Sequence, residues 1–216
     1  MTRRSLRVML PGVLLVSVIA AHAGGWAAIT VEDLPDYVVA REPVQLTFTV
    51  RQHGVTLLNG LRARVEAEAG GVETSAVAAP GQAGGQYTAL LTLPQPGEWK
   101  ITIRSGFMNA NVTLLPLQAI EPGSRPPLPL PEAERGRRLF VAKGCITCHL
   151  HRDVNETSVS VGPELTGRRY PAEYLQQWLA NPSPRSATAR MPNLNLKQPE
   201  IAALVAFINT ERQVLQ

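Results

Sequence analysis

The sequence predicts two domains of different class, an all-β antiparallel sandwich followed by an all-α body. Three observations carry this. Hydrophobic residues alternate with a period of two from residue 26 to about 116, prolines then crowd a short stretch, and beyond it the period becomes helical. At 216 residues, with 44% hydrophobic side chains, both bodies can bury a core, and 18 prolines and 17 glycines suit short strands and tight turns.

In "VQLTFTV" (44–50), Val44, Leu46, Phe48 and Val50 fall on one face. "LRARVEAEA" (61–69), "QYTALLTL" (86–93), "EWKITIRS" (98–105) and "NVTLL" (111–115) repeat the alternation. The turn signals "RQHG", "AGG", "APGQAGG", "PQPG" and "SG" separate them. Strands spaced like this, with no helical interruption, are the pattern of an antiparallel sandwich. The run "GQYTALLTLPQPGEWKITIR" resembles the exported YtkA-like and FixH-like domains, and the resemblance implies an immunoglobulin-like sandwich over residues 24–116.

Prolines 116, 122, 126, 127, 129 and 131 make "PLQAIEPGSRPPLPLP" a semi-rigid, extended spacer, expected over 117–131. Helical patterns follow in "EAERGRRLFVAKG" (132–144), "PAEYLQQWLANP" (171–182) and "PEIAALVAFINTERQVL" (199–215). In the first, Ala133, Gly136 and Phe140 share a face. In the last, Pro199 suits the first turn, and Ile201, Leu204, Val205 and Ile208 form a stripe. Three short helices over residues 132–216 make a modest core that something else must fill.

The N-terminus has the pattern of an export signal. "MTRRSLR" is basic, "VMLPGVLLVSVIAA" is apolar, and "AHA" ends a small-residue cleavage site at Ala23. The apolar character continues through "GGWAAI", so residues 1–23 are expected to be either a cleaved signal or the start of a membrane anchor. Both place the body outside the cytoplasm, in the periplasm or its equivalent. The formal net charge of +4 falls when residues 1–23 are removed, leaving 18 basic against 17 acidic side chains, which gives no case for nucleic acid.

Both cysteines lie in "VAKGCITCHLHR" (141–152). Cys145-Ile146-Thr147-Cys148-His149 has the form C-x-x-C-H, the attachment pattern for c-type haem. Cysteines at i and i+3 on a helical turn can each form a thioether with a haem vinyl group, and the next residue then offers its imidazole to the iron. A zinc ribbon needs four ligands and commonly two such pairs. A redox dithiol belongs in a βαβ setting, and a plain disulfide leaves His149 unexplained. One covalent haem c is the expected cofactor, with His149 an iron ligand.

Residues 132–216 resemble a class I cytochrome c domain. "GPELTG" (162–167) matches the family segment in which a proline carbonyl bonds the second nitrogen of the proximal histidine. The resemblance therefore assigns Pro163 to His149, with an ordinary turn proline as the alternative. Gly136 and Phe140 match positions that pack against the last helix, where Phe207 is the matching aromatic. "RMPN" places Met191 where the family carries its thioether ligand, in irregular chain before the last helix. By the same resemblance Trp178 lines the distal pocket, with a general core tryptophan as the alternative. Arg168, Arg169 and Tyr170 could bond haem propionates or form a solvated basic turn. His151, two residues from His149, cannot reach the opposite haem face, and His53 would have to cross from the β domain.

Histidine and methionine ligands leave iron no open position. The expected function is one-electron transfer in a respiratory-type chain, by an electron-transfer protein rather than an enzyme. It would have redox protein donors and acceptors and no small-molecule substrate. The alternatives are a fixed haem-bearing subunit of a larger oxidase, reductase or dehydrogenase complex, and a haem sensor or peroxidase-like protein. His53 and Met108 are too few soft ligands for a copper site, so the β domain is expected to dock or position.

Overall fold

The computed structural model describes residues 25–183 and 191–210. The expected signal or anchor at residues 1–23 lies outside the described residues, as does the end of the third helical pattern. Among the described residues no helix is long and apolar enough to cross a membrane.

The strands are β1 (Ala27–Val31), β2 (Tyr37–Val39), β3 (Pro43–Gln52), β4 (Thr56–Leu57), β5 (Arg64–Ala69), β6 (Val72–Val77), β7 (Ala79–Pro80), β8 (Gln86–Thr92), β9 (Gly97–Arg104), β10 (Asn111–Thr113) and β11 (Leu117–Ile120). Helices α1 (Glu132–Ala142), α2 (Cys145–Cys148), α3 (Ala172–Ala180) and α4 (Gln198–Ile208) follow. One sheet runs β1-β3-β8-β7 with β4 on β3, and the other runs β2-β11-β9-β5-β6 with β10 on β9. Neighbours are antiparallel except β2 and β11, which run parallel.

The period of two does what the sequence suggests. Leu46, Phe48 and Val50 of β3, Tyr87, Ala89 and Leu91 of β8, and Trp99, Ile101 and Ile103 of β9 meet in one core. The polar tips of the two large aromatics are satisfied. Trp99 Nε1 donates to Gln95 O at 3.0 Å, and Tyr87 Oη donates to Leu58 O at 2.8 Å.

Two expectations change. The spacer was placed at 117–131, but Leu117–Ile120 is β11, paired with both β9 and β2. Between Pro116 and Pro122 lie residues that keep their N–H donors, and Leu117 and Ala119 are buried. The sheet therefore continues to Ile120. The apolar stretch counted toward an anchor also loses Ala27, Ala28 and Ile29, because they form β1 and pair with β3.

In the helical body α1 crosses α4 closely. A Cβ on Gly136 would lie 1.9 Å from Ala203 O, so only glycine admits this approach. One turn further on, the Phe140 and Phe207 rings meet edge to face, 5.5 Å between centroids. Leu139, Leu165, Leu175, Leu179, Ile201 and Leu204 complete that core.

Candidate haem-attachment site

α1 ends at Ala142 with Lys143 as its cap, and Gly144 then takes φ 75°, a left-handed conformation that turns the chain at little cost only in glycine. The single turn α2 follows, so Cys145 and Cys148, three apart, are neighbours on its surface. Both thiols are free and half-buried. Burial pushes the Cys145 thiol up to about 12, with a smaller push from the Cys148 charge. Burial also raises the Cys148 thiol.

His149 leaves the turn in extended conformation, φ −111° and ψ 139°. Its Nδ1 lies 2.9 Å from Pro163 O. A carbonyl can only accept, so Nδ1 carries the proton and Nε2 keeps its lone pair. Burial lowers the His149 pKa, opposed by this hydrogen bond, which favours the neutral ring a metal requires.

Backbone bonds hold the following loop against the turn: Val159 N to Thr147 O at 2.9 Å, Gly162 N to Cys148 O at 3.1 Å, and Leu165 N to Leu150 O at 2.8 Å. Two further residues of this loop hold it in place. A Cβ on Gly162 would lie 2.4 Å from His149 Cε1, so glycine is what lets the loop lie against the imidazole. Asn155 accepts from His151 N at 2.9 Å, and its Nδ2 faces His149 O at 3.0 Å, Thr157 O at 2.9 Å and Ile146 O at 3.2 Å. One amide thus ties the cysteine-bearing turn to the start of the loop. Gly162 begins the "GPELTG" segment, whereas nothing in the local sequence marks Asn155.

Met191 is half-buried, and both it and Cys145 pack against the helical core. Trp178 Nε1 donates to Met191 Sδ at 3.2 Å. Trp178 is the end of an aromatic row along α3: Tyr170 stacks on Tyr174 at 6.1 Å, and Tyr174 on Trp178 at 6.0 Å. Tyr170 is pinned to α4 by two bonds of 3.0 Å with the Asn209 side chain. Arg168 and Arg169 are exposed beside it.

His151 is buried against Phe207 and Phe140, with ring centroids 4.3 and 5.7 Å away. His53 packs edge-on to Trp26 in the sandwich, and Met108 is exposed there. Among the described residues no three His, Cys, Asp or Glu side chains converge as a metal-binding group. The donors present fit a c-type haem. Two free thiols share one turn, a neutral imidazole has an available nitrogen, and a thioether packs on the same core.

Comparison with known proteins agrees with this chemistry. Residues 131–208, less than half of the chain, match the family model described as cytochrome C oxidase, cbb3-type, subunit III. This stretch therefore resembles a cytochrome c-type domain, and such a match points to haem-based electron transfer through covalently bound haem c. No curated protein matches the chain. Among solved structures, a candidate glycoside hydrolase of Bacteroides vulgatus is 15% identical with a TM-score of 0.31, over 42% of this chain and 17% of its own. The ZirS C-terminal domain is 11% identical with a TM-score of 0.31, over 56% of this chain and 87% of its own. The PKD domain of the human VPS10 domain-containing receptor SorCS2 is 14% identical with a TM-score of 0.25, over 57% of this chain and 100% of its own.

Proposed function

We propose that this chain is a monohaem electron-transfer protein working on the outer side of the cytoplasmic membrane. Cys145 and Cys148 would hold the haem covalently, and His149 and Met191 would supply its iron ligands. A haem held there would supply one-electron chemistry, and methionine ligation would raise its potential relative to two histidines. The observation that carries the reading is His149 Nδ1 at 2.9 Å from Pro163 O, one residue after two free thiols. That bond fixes ring and tautomer together, as metal-bound histidines require. Trp178 positions the thioether of Met191, and the chain itself makes and breaks no bonds on a substrate.

The N-terminal body, as an immunoglobulin-type sandwich of the YtkA-like or FixH-like kind, serves the haem domain rather than a chemistry of its own. Two sheets closed on Trp99 and Phe48 support that reading.

A second reading has a specific observation in its favour. The matched family model describes an oxidase subunit, so the chain could sit permanently in a larger membrane complex instead of diffusing between a donor and an acceptor. Membrane fractionation and size-exclusion of native material, followed by haem absorbance, separates the two. A small soluble haem peak supports the carrier, and co-migration with an oxidase supports the subunit. Absence of haem from the purified chain overturns both.

A further inference from the structure

The first strand of the sandwich is an edge strand. β3 pairs with one side of β1, and no strand among the described residues pairs with the other. An open edge is ordinarily short, charged or covered. Here all five residues are buried. The end of α1 and the glycine that opens the cysteine-bearing turn lie against the strand's middle, at Ile29 and Thr30.

Val141 and Ala142 belong to the core of the sandwich, not to that of the helices, and Ile146, between the two cysteines, touches both. Gly144 lies so close to β1 that a Cβ on it would sit 2.5 Å from Ile29 O. Thr30 Oγ1 donates to Lys143 O at 3.4 Å. The Lys143 side chain is only 4% exposed, and its ammonium donates to Glu32 O of the sandwich while pairing with Glu200 Oε1 of α4 at 2.7 Å. The other oxygen of Glu200 accepts from Lys197 N at 2.8 Å, at the start of α4. A buried ammonium is held in place by its partners, because losing one leaves an uncompensated charge. The rim of the seam is also complementary, with Asp36 on Arg135 at 2.5 Å, Asp33 on Lys197, and Pro116 O accepting from Arg138 Nη1 at 2.8 Å.

We propose that the sandwich is the seat of the cysteine-bearing turn, and that Lys143 is the positioning residue that locks Gly144–Cys148 against the edge of β1. The seam stands on geometry alone. Only its consequence for the iron rests on the haem reading above.

The test uses the full mature chain with Lys143→Met and, separately, Glu200→Gln. Hydrogen exchange read by mass spectrometry should quicken about tenfold or more over residues 27–32 and 143–149 in both, with β8 and β9 unchanged. Unchanged exchange at the seam overturns the seat. If Lys143→Met unfolds the whole chain, exchange in Glu200→Gln decides. The reduction potential separates positioning from plain charge. Lys143→Met removes a positive charge and Glu200→Gln a negative one, so a purely electrostatic effect shifts the potential in opposite directions. Loosening of one shared turn shifts it in the same direction. Opposite shifts overturn the positioning role even if the seam opens. If the chain holds no haem, the haem reading fails while exchange still decides the seat.

Discussion

The indole N–H of Trp178 donates a hydrogen bond of 3.2 Å to Met191 Sδ, joining α3 to the irregular segment before α4. An indole can only donate, and a thioether is a weak acceptor. The bond aims the sulfur and leaves it a second lone pair. Met191→Ala should abolish the weak far-red charge-transfer band of the oxidised protein and let carbon monoxide bind the reduced protein rapidly. Trp178→Phe keeps the packing but loses the donor, so carbon monoxide should bind at a rate between those of wild type and Met191→Ala. Stopped-flow absorbance checks both. Fast binding by the wild type, with no band to lose, would favour a sensor or peroxidase.

Covalent attachment follows from two thiols on one turn. Haem should stay on the wild-type chain in denaturing gels, and Cys145→Ala or Cys148→Ala should weaken or abolish this. Haem freely extracted by acid acetone from the mature chain would end the c-type reading.

The thiols also predict pH behaviour in chain that has not yet received haem. Cys145 is pushed up to about 12 by burial. At pH 8.5 the folded chain should therefore alkylate at Cys148 before Cys145, read by mass spectrometry of the labelled peptides. The raised value has a stability consequence. Below pH 9 the folded and unfolded thiols are both protonated and the stability is fully present. Between pH 9 and about 12 only the unfolded thiol ionises, so stability should fall as pH rises, and Cys145→Ala should flatten that fall in denaturant titrations.

Gly136 sets the α1–α4 crossing, since a Cβ there would meet backbone rather than a flexible side chain. Gly136→Ala should therefore destabilise the helical body by about 1–3 kcal/mol, the usual cost of overpacking, even though alanine is the better helix former. The shift of the denaturant midpoint measures it. A neutral or stabilising result would mean that the helices can slide apart at no cost.

What the sequence by itself determined are the features whose cause is local. β8 and β9 show a period of two because one face of each is buried and the other is not, and β3 does so apart from Thr49, which is buried on the opposite face. Cys145, Cys148 and His149 were legible because one helical turn contains all three, and spacing alone then dictates which groups are neighbours. Other features needed the tertiary structure. β1 shows no alternation, since the helical body buries its outer side as well, and so it passed for more of the apolar leader. β11 was hidden among prolines, because pairing with β2 and β9 rather than composition makes it a strand. Asn155 is an unremarked loop residue until the loop closes on His149. Lys143 reads as an ordinary cation after a helix, yet it is buried between Glu32 and Glu200, residues that lie far from it in the chain on either side. Spacing fixes contacts within a turn or a strand. Which charge is buried, and against what, depends on chain segments that meet only when both bodies have folded and docked.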